Sequence, residues 1–150
     1  MRLPSNPWIR WPLLAAGLLI AAQLVPVWLA QTNPPVQAEP AWDSPETRAL
    51  AERACFDCHS NVTTWPWYSK VAPISWLVTR DVLDGRSHLN FSEWGVHAGH
   101  QHSDEAVELV NSGEMPPAYY VLMHPSAELT AAERDQLAAG LIRTLGGEGE

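Results

Sequence analysis

Residues 53–60 read Arg53-Ala54-Cys55-Phe56-Asp57-Cys58-His59-Ser60, and they hold both cysteines of a 150-residue chain. Just upstream, Ser44-Pro45-Glu46 has the form of a helix start: a capping hydroxyl, proline at the first helical position, then an acid. The spacing predicts a helix from there to about Cys58. Leu50, Ala51, Ala54, Cys55 and Cys58 recur on one side of it. Both thiols then face the core, or something that fills it.

Three chemistries compete for these thiols. A zinc site needs four ligands, and only Cys55, Cys58 and His59 are adjacent. A thioredoxin-like disulfide needs a preceding strand and cysteines at a helix start, whereas these sit at a helix end. The third is covalent haem, for which C-x-x-C-H is the attachment signature. Two thiols three residues apart match the two vinyl groups along one porphyrin edge. The following histidine then turns its imidazole under the iron.

Working outward, no strand pattern appears. Ala72–Arg86 ("APISWLVTRDVLDGR") predicts a helix with Ile74, Leu77, Val78 and Val82 as its stripe and Gly85 as its stop. Ser103 to Gly113 predicts a short helix with Val107, Leu109 and Val110 apolar. Thr130 and Glu133 form a capping box for a last helix, lined by Leu137, Ala138, Leu141, Ile142 and Leu145. Trp76 and Trp94 are expected in the core. A thin all-α domain with long loops calls for a metal, disulfide or cofactor to support it.

The N-terminal part is of another kind. Leu13 to Ala30 carries no charge over eighteen residues, which as helix spans ~27 Å, close to a bilayer core. Arg2 and Arg10 precede it and no base follows until Arg48. The positive-inside rule therefore predicts residues 1–12 in the cytoplasm, 13–30 as a transmembrane anchor and the rest in the periplasm. A cleaved signal segment is the rival, with "VQA" ending at Ala38 as its site, though far from the apolar run. Residues 31–43, opening "QTNPPVQAEPA", read as a Pro-rich linker to a domain over 44–150.

From Glu39 onward seven bases face seventeen acids. That balance disfavours nucleic acid, which needs clustered Lys and Arg. It suits a redox partner protein with a basic docking face, or solubility alone.

The segments "CHSN", "WPWYS", "GRSHLNFSEW" and "GEMPP" together resemble the bacterial haem-binding domain family of small exported c-type cytochromes. The likeness runs from about Cys55 to the last helix. It implies a cytochrome c-like helical domain that carries one covalent haem c and transfers single electrons. Matched residue by residue, it implies attachment at Cys55 and Cys58, with iron held by His59 and Met115. Independently, Met115 offers a soft thioether that raises the potential, and Pro116 and Pro117 limit its freedom. Met123 and His124 are the other distal candidates, and His124 would lower the potential. The alternative function is a haem peroxidase or a gas or redox sensor with an open distal position.

Other residues carry weaker signals. Trp65, Trp67 and Tyr68 are candidates to wall the haem. Arg80 and Arg86 are candidates for propionate pairing, against the plainer role of surface charge. His97, His100 and His102 offer a second metal site or a solvated loop, and here the chain departs most from the family pattern.

Overall fold

The computed structural model describes residues 6–95 and 103–145. Among them the regular structure is helical: α1 (Pro7–Ala22), α2 (Pro45–Ala54), α3 (Phe56–His59), α4 (Ile74–His88), α5 (Ser103–Ser112), α6 (Ala118–Met123) and α7 (Ala131–Leu145). Short 3-10 turns cover Val27–Ala30, Trp67–Lys70 and Pro125–Ala127. The one extended pairing described is a single bridge between Ala38 and Glu93. The all-α expectation therefore stands. The stretch with His97, His100 and His102, read as a second metal site or a solvated loop, lies outside the described residues.

The chain divides into two compact units. The first joins residues 1–32 to residues 65–81, and the second joins 33–64 to 82–150. In the first, α1 begins at the Asn6 cap, whose side chain accepts from the Trp8 amide at 3.0 Å. Pro7–Ala30 is long and apolar enough to cross a membrane, and none of it is buried. The eighteen-residue run is not one unbroken helix. The helix ends at Ala22, and a 3-10 turn follows Pro26. Proline has no N–H with which to continue the ladder.

In the second unit, Leu50, Ala51, Ala54, Phe56, Leu89, Phe91, Trp94, Val110, Leu137 and Leu141 share one core. Ser44 caps α2 by accepting from the Thr47 amide at 3.1 Å. The Thr130–Glu133 box closes reciprocally, with Thr130 N donating to Glu133 Oε2 at 2.9 Å and Glu133 N to Thr130 Oγ1 at 3.2 Å. Gly113 ends α5 at φ +80, where side-chain-bearing residues are strained.

Four expectations differ. The helix from Pro45 does not run to Cys58 but breaks at Cys55, whose φ of −124 lies outside the helical basin. Phe56 then turns into the core, its ring 5.6 Å from Phe91 and 6.1 Å from Trp42. Gly85 does not stop α4. It lies within it, because the Cys58 backbone approaches there. On the helix stripes, Ile74, Trp76, Leu77 and Ile142 are exposed rather than buried. Finally, the Pro-rich stretch is hydrogen-bonded along the second unit. Asn33 donates to Thr63 O at 2.8 Å, Gln37 N to Ser92 O at 2.8 Å and Trp94 N to Ala38 O at 3.0 Å. Proline-rich backbone suits such an edge, since it is pre-extended and needs few donors.

Candidate functional site

The break at Cys55 begins a new one-turn helix, α3, which carries Asp57, Cys58 and His59. Cys55 and Cys58 are both half-buried, and no disulfide joins them. Burial, and then the neighbouring Cys58, push the Cys55 thiol up to about 12. Among the described residues, no group of three or more His, Cys, Asp or Glu has a metal-holding arrangement.

His59 is fixed from two directions by residues 89–91. Its ring Nδ1 lies 3.1 Å from Leu89 O, and its carbonyl accepts from Phe91 N at 2.8 Å. A carbonyl accepts only, so Nδ1 must carry the proton and Nε2 keeps its lone pair. Burial also lowers the His59 pKa, against the hydrogen bonds from its ring to the Leu89 and Gly85 carbonyls. A neutral imidazole with Nε2 open is the ligating form.

Gly85 explains the close approach. A Cβ there would fall 2.6 Å from Cys58 O and 3.1 Å from Cys58 Cβ. Only glycine lets α4 pass this near the thiol pair. The sequence signal was present, a glycine inside a helical pattern, but it reads equally as a helix stop.

The loop after His59 is tied down by a set of hydrogen bonds. Ser60 Oγ donates to Phe56 O at 2.6 Å. Asn61 is buried, with its amide donating to Ser92 Oγ at 2.9 Å. Its side chain donates to Pro35 O and Glu93 Oε1 and accepts from Asn90 Nδ2. These bonds explain why "CHSN" and "LNFSEW" occur together. Arg86 completes the latch, donating to Ser60 O at 2.7 Å, Thr63 Oγ1 at 2.8 Å and Asn33 Oδ1 at 3.2 Å. Its guanidinium braces this loop, a role that sequence reasoning did not assign.

Met115 belongs to the same unit. Like Cys55, it packs half-buried against the shared core. Its amide donates to Leu109 O at 3.0 Å, and Arg134 donates to its carbonyl at 3.4 Å and to Val110 O at 3.0 Å. Gly113 leaves room for that guanidinium, since a Cβ would come 3.3 Å from Arg134 Nη1. Beyond the prolines, Tyr120 of α6 donates to Asp57 Oδ2 at 2.7 Å. This bond links the segment after Met115 to the centre of the C-x-x-C-H motif, and no motif announced it. His124 stacks on Tyr120 at 4.2 Å, and Met123 is exposed. Trp65, Trp67 and Tyr68 fall in the first unit, where Trp67 is 78% exposed.

The donor set fits an iron porphyrin: an imidazole whose Nδ1 is turned to the Leu89 carbonyl, following two cysteines three residues apart, with Gly85 letting α4 pack against Cys58. An all-helical unit built around such a motif defines a haem-carrying class of protein. The model of the haem-binding domain family matches residues 17–142. The chain belongs to that family and binds haem. No curated protein and no solved structure matches it.

Proposed function

We propose that the protein carries one haem c, joined covalently to Cys55 and Cys58, and passes single electrons at the outer face of the membrane that anchors it. Cys55 and Cys58 would hold the haem by thioether bonds, each formed by adding S–H across a vinyl group, which needs no oxidant. His59 Nε2 and Met115 Sδ would hold the iron. Haem supplies a one-electron ferric/ferrous couple.

The observation that carries this reading is the clamp on His59. Leu89 O and Phe91 N fix the ring and its backbone, and the bond at Nδ1 leaves Nε2 as the nitrogen with the lone pair. The chain's own groups do the positioning. Gly85 admits the motif close to α4, Tyr120 holds Asp57, and Arg134 fixes the Met115 carbonyl. The N-terminal apolar segment supports anchoring, with residues 1–12 cytoplasmic and the haem domain periplasmic. By sequence, the second unit carries five bases against sixteen acids, a net of −11. That field suits a redox partner with a basic docking face.

Visible and near-infrared spectra of the ferric protein test the ligand set. The wild type should be low-spin with the sulfur-to-iron charge-transfer band. His59→Ala should lose the native spectrum, and Met115→Ala should lose the near-infrared band. A high-spin wild type that binds carbon monoxide readily when reduced would replace electron transfer with an open-site peroxidase or sensor.

A further inference from the structure

In the first unit, residues 65–81 are fastened to the end of the apolar N-terminal segment by two glutamines. Gln23 pairs with the Ala72 backbone both ways, donating to its carbonyl and accepting from its amide, each at 3.0 Å. Gln31 donates to Ser69 O at 2.6 Å and Thr79 Oγ1 at 2.9 Å, and accepts from the Lys70 ammonium. The result is an inverted stretch. Ser69, Ala72, Ser75 and Thr79 are buried, while Trp67, Val71, Ile74, Trp76 and Leu77 are 40–78% exposed. A surface facing water would show the opposite arrangement. Charge divides the same way. By sequence, residues 65–81 hold Lys70 and Arg80 against Asp81, a net of +1, beside −11 for the second unit.

We infer that residues 65–81 form a second membrane contact, a face that rests in the interface of the bilayer carrying α1 and takes anionic lipid. The occupant is a lipid surface for three reasons. The face is continuous, through Gln23 and Gln31, with the segment that spans. It offers indoles, which favour the headgroup level. Its bases, Lys70 and Arg80, match anionic headgroups. The consequence is a second point of membrane attachment, in residues 65–81, besides α1. This inference rests on the anchored reading above.

The test uses the full haem-loaded chain in vesicles of phosphatidylethanolamine and phosphatidylglycerol containing a lipid with a photoactivatable group near the headgroup. Labelled tryptic peptides are mapped by mass spectrometry. The expected result is labelling of α1 and of peptide 71–80, several-fold above peptide 135–143, whose Ile142 is 58% exposed in the other unit. Trp67→Glu with Ile74→Glu should remove labelling from 71–80 while sparing α1 and the haem absorption. If α1 is labelled and 71–80 matches 135–143, the inference fails and the anchor stands; a protein partner or a second copy would then cover this face. If neither is labelled, the anchor itself fails. Labelling that persists in the double variant also overturns the proposal.

Discussion

Gly85→Ala is the most informative single substitution, because one added methyl acts on the motif itself. The new Cβ would stand 2.6 Å from Cys58 O and 3.1 Å from Cys58 C and Cβ. The clash is with backbone, so no rotamer change relieves it, and α4 or α3 must move by several tenths of an ångström. Overpacking of this kind costs about 1–3 kcal/mol. Alanine returns about 1 kcal/mol of helix propensity. The net loss should therefore be roughly 0–2 kcal/mol, and the close contact of 2.6 Å with backbone puts it toward the upper end. The control is Gly140→Ala, whose Cβ would lie 2.1 Å from Thr47 Oγ1, away from the motif. Denaturant unfolding and the haem spectrum are measured for both. Both variants should be destabilised, but only Gly85→Ala should lower haem loading and perturb the axial spectrum. Gly85→Ala with wild-type stability, loading and spectrum would refute the close-approach argument.

Three further predictions address the latch, the acids and the distal ligand. Asn61→Ala removes buried bonds to Pro35, Glu93 and Asn90, and should cost roughly 2–4 kcal/mol in denaturant unfolding; a loss below 1 kcal/mol would show the network to be dispensable. The bond from the Thr130 amide, then the Arg53 guanidinium, hold Glu133 at about 2 against an ordinary 4.5. Arg48 likewise lowers Glu39. Both contributions are present above pH 4.5 and are lost as pH falls through the lowered folded values. Thermal melting should therefore fall below pH 4.5, less steeply in Glu133→Gln, which keeps the cap but not the titration; equal slopes would contradict this. Met123→Ala should leave the near-infrared band intact while Met115→Ala removes it, and the reverse pattern would move the distal ligand to α6.

Much of this was legible in the sequence, for physical reasons that differ by element. The starts of α2 and α7 could be read because caps are local: a hydroxyl and an acid at fixed spacing satisfy the first amides wherever the helix goes. The apolar segment was plain from composition. Gly85 was misread because a glycine's meaning depends on what approaches it, and Cys58 is twenty-seven residues away in sequence. The exposed Ile74, Trp76 and Leu77 were misread because periodicity shows that a face is apolar, not what covers it. Tyr120 and Arg134 were missed because each acts through one long-range bond that leaves no local pattern. Cys55, Cys58, His59 and Met115 were singled out by motif and resemblance, and the hydrogen bonds around them came only with the structure.

The central claim is that haem is joined to this chain at Cys55 and Cys58. Trypsin cuts after Arg53 and Lys70, so both thiols fall in peptide 54–70. The most direct measurement is the mass of that peptide from the exported, denatured protein. It should carry one intact haem, released only by cleavage of thioether bonds, and Cys55→Ser with Cys58→Ser should abolish the adduct. Recovery of the peptide with two free thiols, or with a Cys55–Cys58 disulfide, from protein whose haem extracts freely would contradict the account.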